Sequence, residues 1–174
     1  MTPTTNLTDQ QVVITDANVL INFIHLKQLE LLNRLPRHRF SIPDQVVDEV
    51  THADQATALA KSFECRHLDR CNTSETAASE LFDVLSEKIE SGEAACIAIA
   101  AAGGHSVATD ERRHAERFAK QLLGAHRLLR TETVLGRCIE HGVITVEEAD
   151  EFKAQLELKR YKMNFDSFAD LIPS

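Results

Sequence analysis

The most apolar β-type segment of the chain is Val12-Val13-Ile14, which runs through Thr15-Asp16 into apolar positions at helical spacing, Val19, Leu20, Phe23 and Ile24. Such a run suits a strand buried on both faces, followed by a helix with one apolar side. Residues 17–34 read as one or two helices, stopped by Pro36. Arg39 to Ile42 reads as a second strand, with Pro43 in the first turn of a helix over Asp44–Thr51. In that helix Val46, Val47 and Val50 share the inner face, and Gln45 and Glu49 lie on the other. Ala53–Ser62 continues as a polar-faced helix, Phe63–Leu68 alternates like a short strand or edge, and Asp69–Ser74 reads as a loop. A helix beginning at Ser74 carries Ala77, Leu81, Val84, Leu85 and Ile89 and stops at Ser91-Gly92. Glu93 then opens a segment made almost wholly of Ala and Ile, and a helix that is apolar all round is a buried one. Gly103-Gly104 ends it, and His105–Thr109 reads as a strand closed by Asp110. Glu111–Leu123 is expected to be helical and His126–Leu129 to be the last strand. A helix over Thr133–His141 ends at Gly142, and Thr145-Val146-Glu147-Glu148 is a capping box for a helix reaching about Lys159.

Alternation of strand and helix predicts an α/β fold with a mostly parallel central sheet flanked by helices. At 174 residues one domain is expected. With no Trp, the packing falls to Ala, Leu, Val and Ile. A formal charge of -8 excludes a uniformly basic coat for nucleic acid but not a local basic patch. The polar lead over residues 1–11 has no signal-peptide character, and Ala94–His105 is too short and small-sided to cross a bilayer, so no membrane role is expected. Four cysteines without a C-x-x-C pair read as reduced thiols of a cytoplasmic protein. His52, Cys65, His67 and Cys71 match no common zinc spacing and read as a chance grouping.

Candidate chemistry lies in four acids. Asp16 and Asp110 each end a predicted strand, Glu49 follows a strand on a helix, and Glu93 is in the first turn of the buried helix. Ligands of open parallel sheets bind outside the carboxyl ends of the strands. Taken singly each acid is ordinary, since Asp16 could merely cap a helix and Glu93 is favoured by a helix dipole. Together, without obvious cationic partners, they would repel one another unless cations sit between them. Oxygen-only donors of this kind suit Mg²⁺ or Mn²⁺. Such an ion could lower the pKa of a water and bridge the oxygens of a phosphodiester. The run Arg112, Arg113, His114, Arg117 and Lys120, on the helix leaving Asp110, could bind flanking phosphates, or could be a solvated helix face.

The ordered motifs Val-Ile-Thr-Asp16-Ala-Asn18, Ile-Pro43-x-x-Val-x-x-Glu49-Val, Ser-Gly92-Glu93-Ala-Ala-x-Ile-Ala and Val-Ala-Thr-Asp110-Glu111 resemble those of PIN-domain nucleases, the fold of VapC-type toxins. The resemblance runs from about Val12 to Leu129, giving a PIN-like domain over residues 12–130. Residues 131–174 are similar to an added C-terminal helical segment packed on the same domain. It implies a metal-dependent endoribonuclease in which Asp16, Glu49, Glu93 and Asp110 are the catalytic, metal-holding residues. Asn18, Thr109 and Glu111 would support the site, Arg112, Arg113, Arg117 and Lys120 would bind RNA, and Mg²⁺ or Mn²⁺ would be the cofactor. It further implies a toxin with an antitoxin protein and a homodimer, for which the apolar C-terminal residues Phe165, Phe168, Leu171 and Ile172 offer a docking surface. One departure bears on the metal site. Many PIN proteins carry Thr or Ser two residues before the last Asp, where this chain has Ala108, and Thr109 is adjacent to Asp110 instead. Glu111 and Glu116 are the further acids at hand, so the second metal position stays open. Two alternatives remain: an inactive PIN-like binding scaffold, or another α/β phosphoryl-transfer enzyme, which the lack of G-x-G-x-x-G or a P-loop disfavours.

Overall fold

The structure is a computed structural model and describes residues 10–172. Its centre is a five-stranded, wholly parallel sheet built from β1 (Gln11–Thr15), β2 (His38–Pro43), β3 (Asp69–Cys71), β4 (Ser106–Ala108) and β5 (Leu128–Leu129), in the order β3-β2-β1-β4-β5. Val13 and Ile14 are at most 1% exposed because β1 has a neighbour on each edge: Val13 pairs with Phe40 and Ser106, Ile14 with Ser41 and Val107. The chain leaves β1 towards β2 on one side and returns as β4 on the other, so the strand order reverses between β1 and β4. That reversal is where an open α/β sheet forms a crevice at its carboxyl edge.

The helices are α1 (Ala17–His25), α2 (Glu30–Arg34), α3 (Asp44–Glu49), α4 (Ala53–Glu64), α5 (Thr76–Ser86), α6 (Ser91–Gly103), α7 (His114–Leu123), α8 (Thr131–Glu140) and α9 (Val146–Leu158). The Ala/Ile-rich α6 is buried, packing against α3, α5 and α7 and on β1, β2 and β4. Its small side chains permit that close approach, so adding volume at a fully buried position such as Ala98 would cost about 1–3 kcal/mol in overpacking. Gly104, at φ 66°, supplies the left-handed residue that lets α6 stop and turn into β4. On the α1 side Leu20 and Phe23 are fully buried, each worth about 1.5–3 kcal/mol of apolar transfer.

Several elements differ from the sequence expectation. The segment expected as a loop contains β3, and Phe63–Leu68 is no strand: α4 runs on to Glu64 and the chain reverses at Arg66, φ 57°. The apparent alternation there is the tail of a helical spacing, Leu59 to Phe63, followed by a turn. Pro43 is extended, with ψ 147°, and closes β2 rather than opening α3. Helix α7 starts only at His114, so Arg112 and Arg113 lie on the connection before it. The last strand is two residues long, after a 3₁₀ turn over Ala125–Arg127. The capping box of α9 forms as its sequence foretells, with Thr145 accepting from the Glu148 amide and Glu148 from the Thr145 amide. Near the C-terminus Phe168 is fully buried and meets Phe165 edge-on at 4.9 Å, so it fills the molecule's own core instead of offering itself to a neighbour. Leu171 remains half exposed. Among the described residues no helix is long and apolar enough to cross a membrane.

Candidate active site

Asp16 immediately follows β1, and its amide donates to the Ala108 carbonyl of β4 at 2.9 Å, which pins it to the strand-order reversal. It occupies the N-cap position of α1, yet its side chain makes no capping bond. Only 3% of Asp16 is exposed. Burial, with smaller contributions from Glu49 and Asp110, pushes its pKa from the ordinary 3.8 up to about 6, although the Ala17 amide and the Thr109 hydroxyl, 3.3 Å away, pull the other way.

Glu93 is half-buried in the first turn of α6. Burial comes first and the charges of Asp16, Glu111 and Glu90 follow in raising its pKa from 4.5 to about 7. Glu49, at the end of α3, is turned towards the same helix start: its Oε1 accepts from the Gly92 amide at 2.7 Å. Gly92 is required for this approach, because a Cβ there would run into the Glu49 carboxylate. A cavity of about 540 Å³ opens beside these residues, lined by Asn18, Lys88, Glu90, Glu93, Glu111 and His114 among others.

Asp110 faces elsewhere. Its Oδ1 accepts from the Thr131 amide (2.9 Å) and its Oδ2 from the Thr131 hydroxyl (2.6 Å) and the Asn22 amide group (2.9 Å). The Tyr161 hydroxyl lies 2.7 Å from Asp110 Oδ1 and also within hydrogen-bonding reach of Glu132, so one phenolic proton stands between two carboxylates. Burial raises the Asp110 pKa despite these donors, and it raises that of Tyr161 strongly. With four donors around it, Asp110 ties the end of β4 to α1, α8 and the segment after α9. Glu111, one residue on, borders the cavity beside Glu93. Its backbone amide donates to the Thr109 hydroxyl (3.2 Å), while its side chain accepts from the amides of Arg113 (2.8 Å) and Glu116 (3.3 Å).

Asp16, Glu49, Glu93 and Glu111 thus gather at one end of α6, with Asp110 set behind them. Among the described residues no three Asp, Glu, His or Cys groups converge closely enough to hold one metal ion together, whether drawn from these acids or from His52, Cys65, His67 and Cys71. Asn18 is exposed on the rim of the cavity. The basic run is divided: Arg112 pairs with Glu132 (3.5 Å) and Lys120 with Glu116 (2.8 Å), whereas Arg113 and Arg117 have no carboxylate within ion-pair distance among the described residues. Sequence reasoning did not find Asn22, Thr131 and Tyr161. An Asn within the otherwise apolar Val19–Ile24 stretch, on the buried side of α1, was the available sign.

Among solved structures, one chain of the crystal structure of VapBC2 from Rickettsia felis bound to a DNA fragment from their promoter is similar at 16% identity, over 68% of this chain and 96% of that one, with a TM-score of 0.45. No curated protein matches the sequence. Residues 12–163 match the family model DUF3368, described as a PIN domain. That match takes in β1 through the C-terminal segment that carries Tyr161, and the chain belongs to the PIN-domain family.

Proposed function

We propose that this protein is a Mg²⁺- or Mn²⁺-dependent endoribonuclease that hydrolyses RNA phosphodiester bonds. The observation that carries the reading is the gathering of Asp16, Glu93 and Glu111 at the β1–β4 reversal, with Asp16 and Glu93 raised by burial and by neighbouring acids, and with no basic side chain paired to either among the described residues. Hard oxygen donors of this kind fit Mg²⁺, which takes one or two carboxylates directly and keeps several waters, so the lack of a tight three-acid cluster is compatible with it. In this reading one or two of Asp16, Glu93 and Glu111 would hold the ion directly and the remainder, with Glu49 next to them, would meet it through its waters. A divalent cation bound there supplies charge neutralisation for the phosphodiester and activation of water.

The remaining work falls to the chain itself. Thr109 steadies Asp16 through its hydroxyl and fixes the turn that presents Glu111. Thr109 stands two residues before Glu111, the spacing the family motif has before its last acid, so Glu111 takes that place. Asp110 becomes a positioning residue, anchored by Asn22, Thr131 and Tyr161. Asn18 on the rim is placed to meet substrate. Arg113 and Arg117, free of carboxylate partners, are better suited to RNA phosphates than Arg112 and Lys120.

The test is cleavage of an RNA pool by highly purified protein with Mn²⁺, and with EDTA as control. Cleavage that needs Mn²⁺ and disappears in Asp16→Asn is the expected result; equal cleavage by both proteins, or none by the wild type, overturns the proposal. A second reading, a PIN fold kept as a binding scaffold, is favoured by the Glu49 carboxylate being engaged by the Gly92 amide; it predicts RNA binding with no cleavage. Family membership also supports a cytoplasmic toxin that forms a homodimer and is held by an antitoxin protein. Arrest of growth on expression, relieved by an open reading frame next to its gene, would test that role.

A further inference from the structure

The acid cavity does not end at the acids. Lys88, in the connection between α5 and α6, and His114, the first residue of α7, line it and also line a second cavity of about 240 Å³, whose other walls are Arg117 and Phe118. The two spaces therefore share a wall, and across it the lining changes from carboxylates to cations beside an aromatic ring. Lys88 Nζ and the Arg117 guanidinium each lie 5.9 Å from the Phe118 ring centre, at the outer limit of about 6 Å for a cation–π contact. They are held loosely and can turn to an anion. Neither Lys88 nor Arg117 has a carboxylate within ion-pair distance among the described residues, although the chain carries 27 acids against 19 Lys and Arg. Phe118 itself is partly buried against the core and lines the second cavity beside these two cations.

We propose that Lys88, His114, Arg117 and Phe118 form a subsite for the nucleotide next to the scissile phosphate of a single-stranded RNA, its base on Phe118 and its phosphate between Lys88 and Arg117. The proposal rests on the nuclease reading for the position of the scissile phosphate. Its chemistry follows from the shelf: bases of single strands stack on aromatic faces and guanidinium planes, while cations follow the backbone. A duplex cannot use it in this way, because its bases are already stacked.

Binding of a labelled single-stranded RNA by the full chain, followed by fluorescence anisotropy in EDTA over a range of salt, tests this. Phe118→Leu keeps an apolar side chain against the core and removes the aromatic face, and should weaken binding roughly tenfold with an unchanged salt slope, the loss expected for one stacked base. Lys88→Gln and Arg117→Gln, both at exposed positions, should weaken binding and each flatten the slope by about 0.7, the value for one single-strand phosphate contact. Duplex RNA should bind Phe118→Leu and wild type alike. Wild type that fails to bind single-stranded RNA, or three variants that bind like wild type, overturns the subsite, as does DNA of the same sequence binding more tightly than the RNA. Cleavage with Mn²⁺, measured on the same preparations, separates the two claims. Wild type that cleaves while all three variants bind normally removes the subsite alone; wild type that binds and never cleaves removes the nuclease reading.

Discussion

Replacing Asp16 by Asn should make the metal-free protein more stable, the reverse of what is expected for most buried substitutions. Asp16 is only 3% exposed, and its pKa is pushed up to about 6 against the ordinary 3.8. At 1.36 kcal/mol per pH unit, holding Asp16 ionised at pH 7 costs the fold about 3 kcal/mol. Asn has the same shape and can still meet the Thr109 hydroxyl, but carries no charge. After relaxation of the site a gain of about 2 kcal/mol should survive, which for a chain of this size is about 4–8 °C in Tm. The pH dependence has a fixed sign. Because the folded pKa is raised, the penalty is full above about 6, is halved near pH 5, and vanishes below the unfolded value. Thermal melts of both proteins in EDTA at pH 8, 7, 5 and 4 read this directly. The variant should melt higher at pH 7 and the gap should close as the pH falls. A variant that melts at or below wild type at pH 7, or a gap that does not change with pH, would refute the picture of an uncompensated buried charge.

Three further outcomes follow from the geometry. Gly92→Ala should fold nearly normally, because the clash is with the far end of a flexible side chain, but should displace the Glu49 carboxylate; RNA cleavage should drop at least tenfold while Tm moves by only a few degrees. Tyr161→Phe removes the hydroxyl between Asp110 and Glu132 and leaves both carboxylates short of a donor, so a loss of about 1–3 kcal/mol is expected in denaturant titrations. Arg113→Ala should weaken RNA binding more than Arg112→Ala or Lys120→Ala in anisotropy titrations, since the latter two cations are already paired with Glu132 and Glu116.

What the sequence made legible was what short-range pattern controls. Val12–Ile14 suits a strand buried on both faces, and the Ala/Ile run after Glu93 suits a buried helix; these two place Asp16 and Glu93. The resemblance to PIN nucleases pointed to the same acids. The direction of each side chain was not legible. Asp110 and Glu111 are adjacent, and only the long-range partners Asn22, Thr131 and Tyr161 decide that one turns inward and the other borders the cavity. The tyrosine lies 51 residues beyond Asp110, a separation that no local pattern spans. For the same reason the basic run looked uniform until Glu132 and Glu116 were seen to take two of its members. The strand β3 escaped notice because three residues, Asp69-Arg70-Cys71, carry no apolar pattern and owe their conformation to pairing with β2.

The nuclease proposal requires that acids at the β1–β4 reversal hold a divalent cation. Calorimetric titration of Mn²⁺ into the metal-free protein at pH 7.5 measures it without recourse to catalysis. Wild type should bind saturably, with binding lost in Asp16→Asn and Glu111→Gln but retained in Asp110→Asn at reduced affinity, because Asp110 only anchors the turn. Binding that is indifferent to Asp16 and Glu111, or that is abolished only by Asp110→Asn, would contradict it.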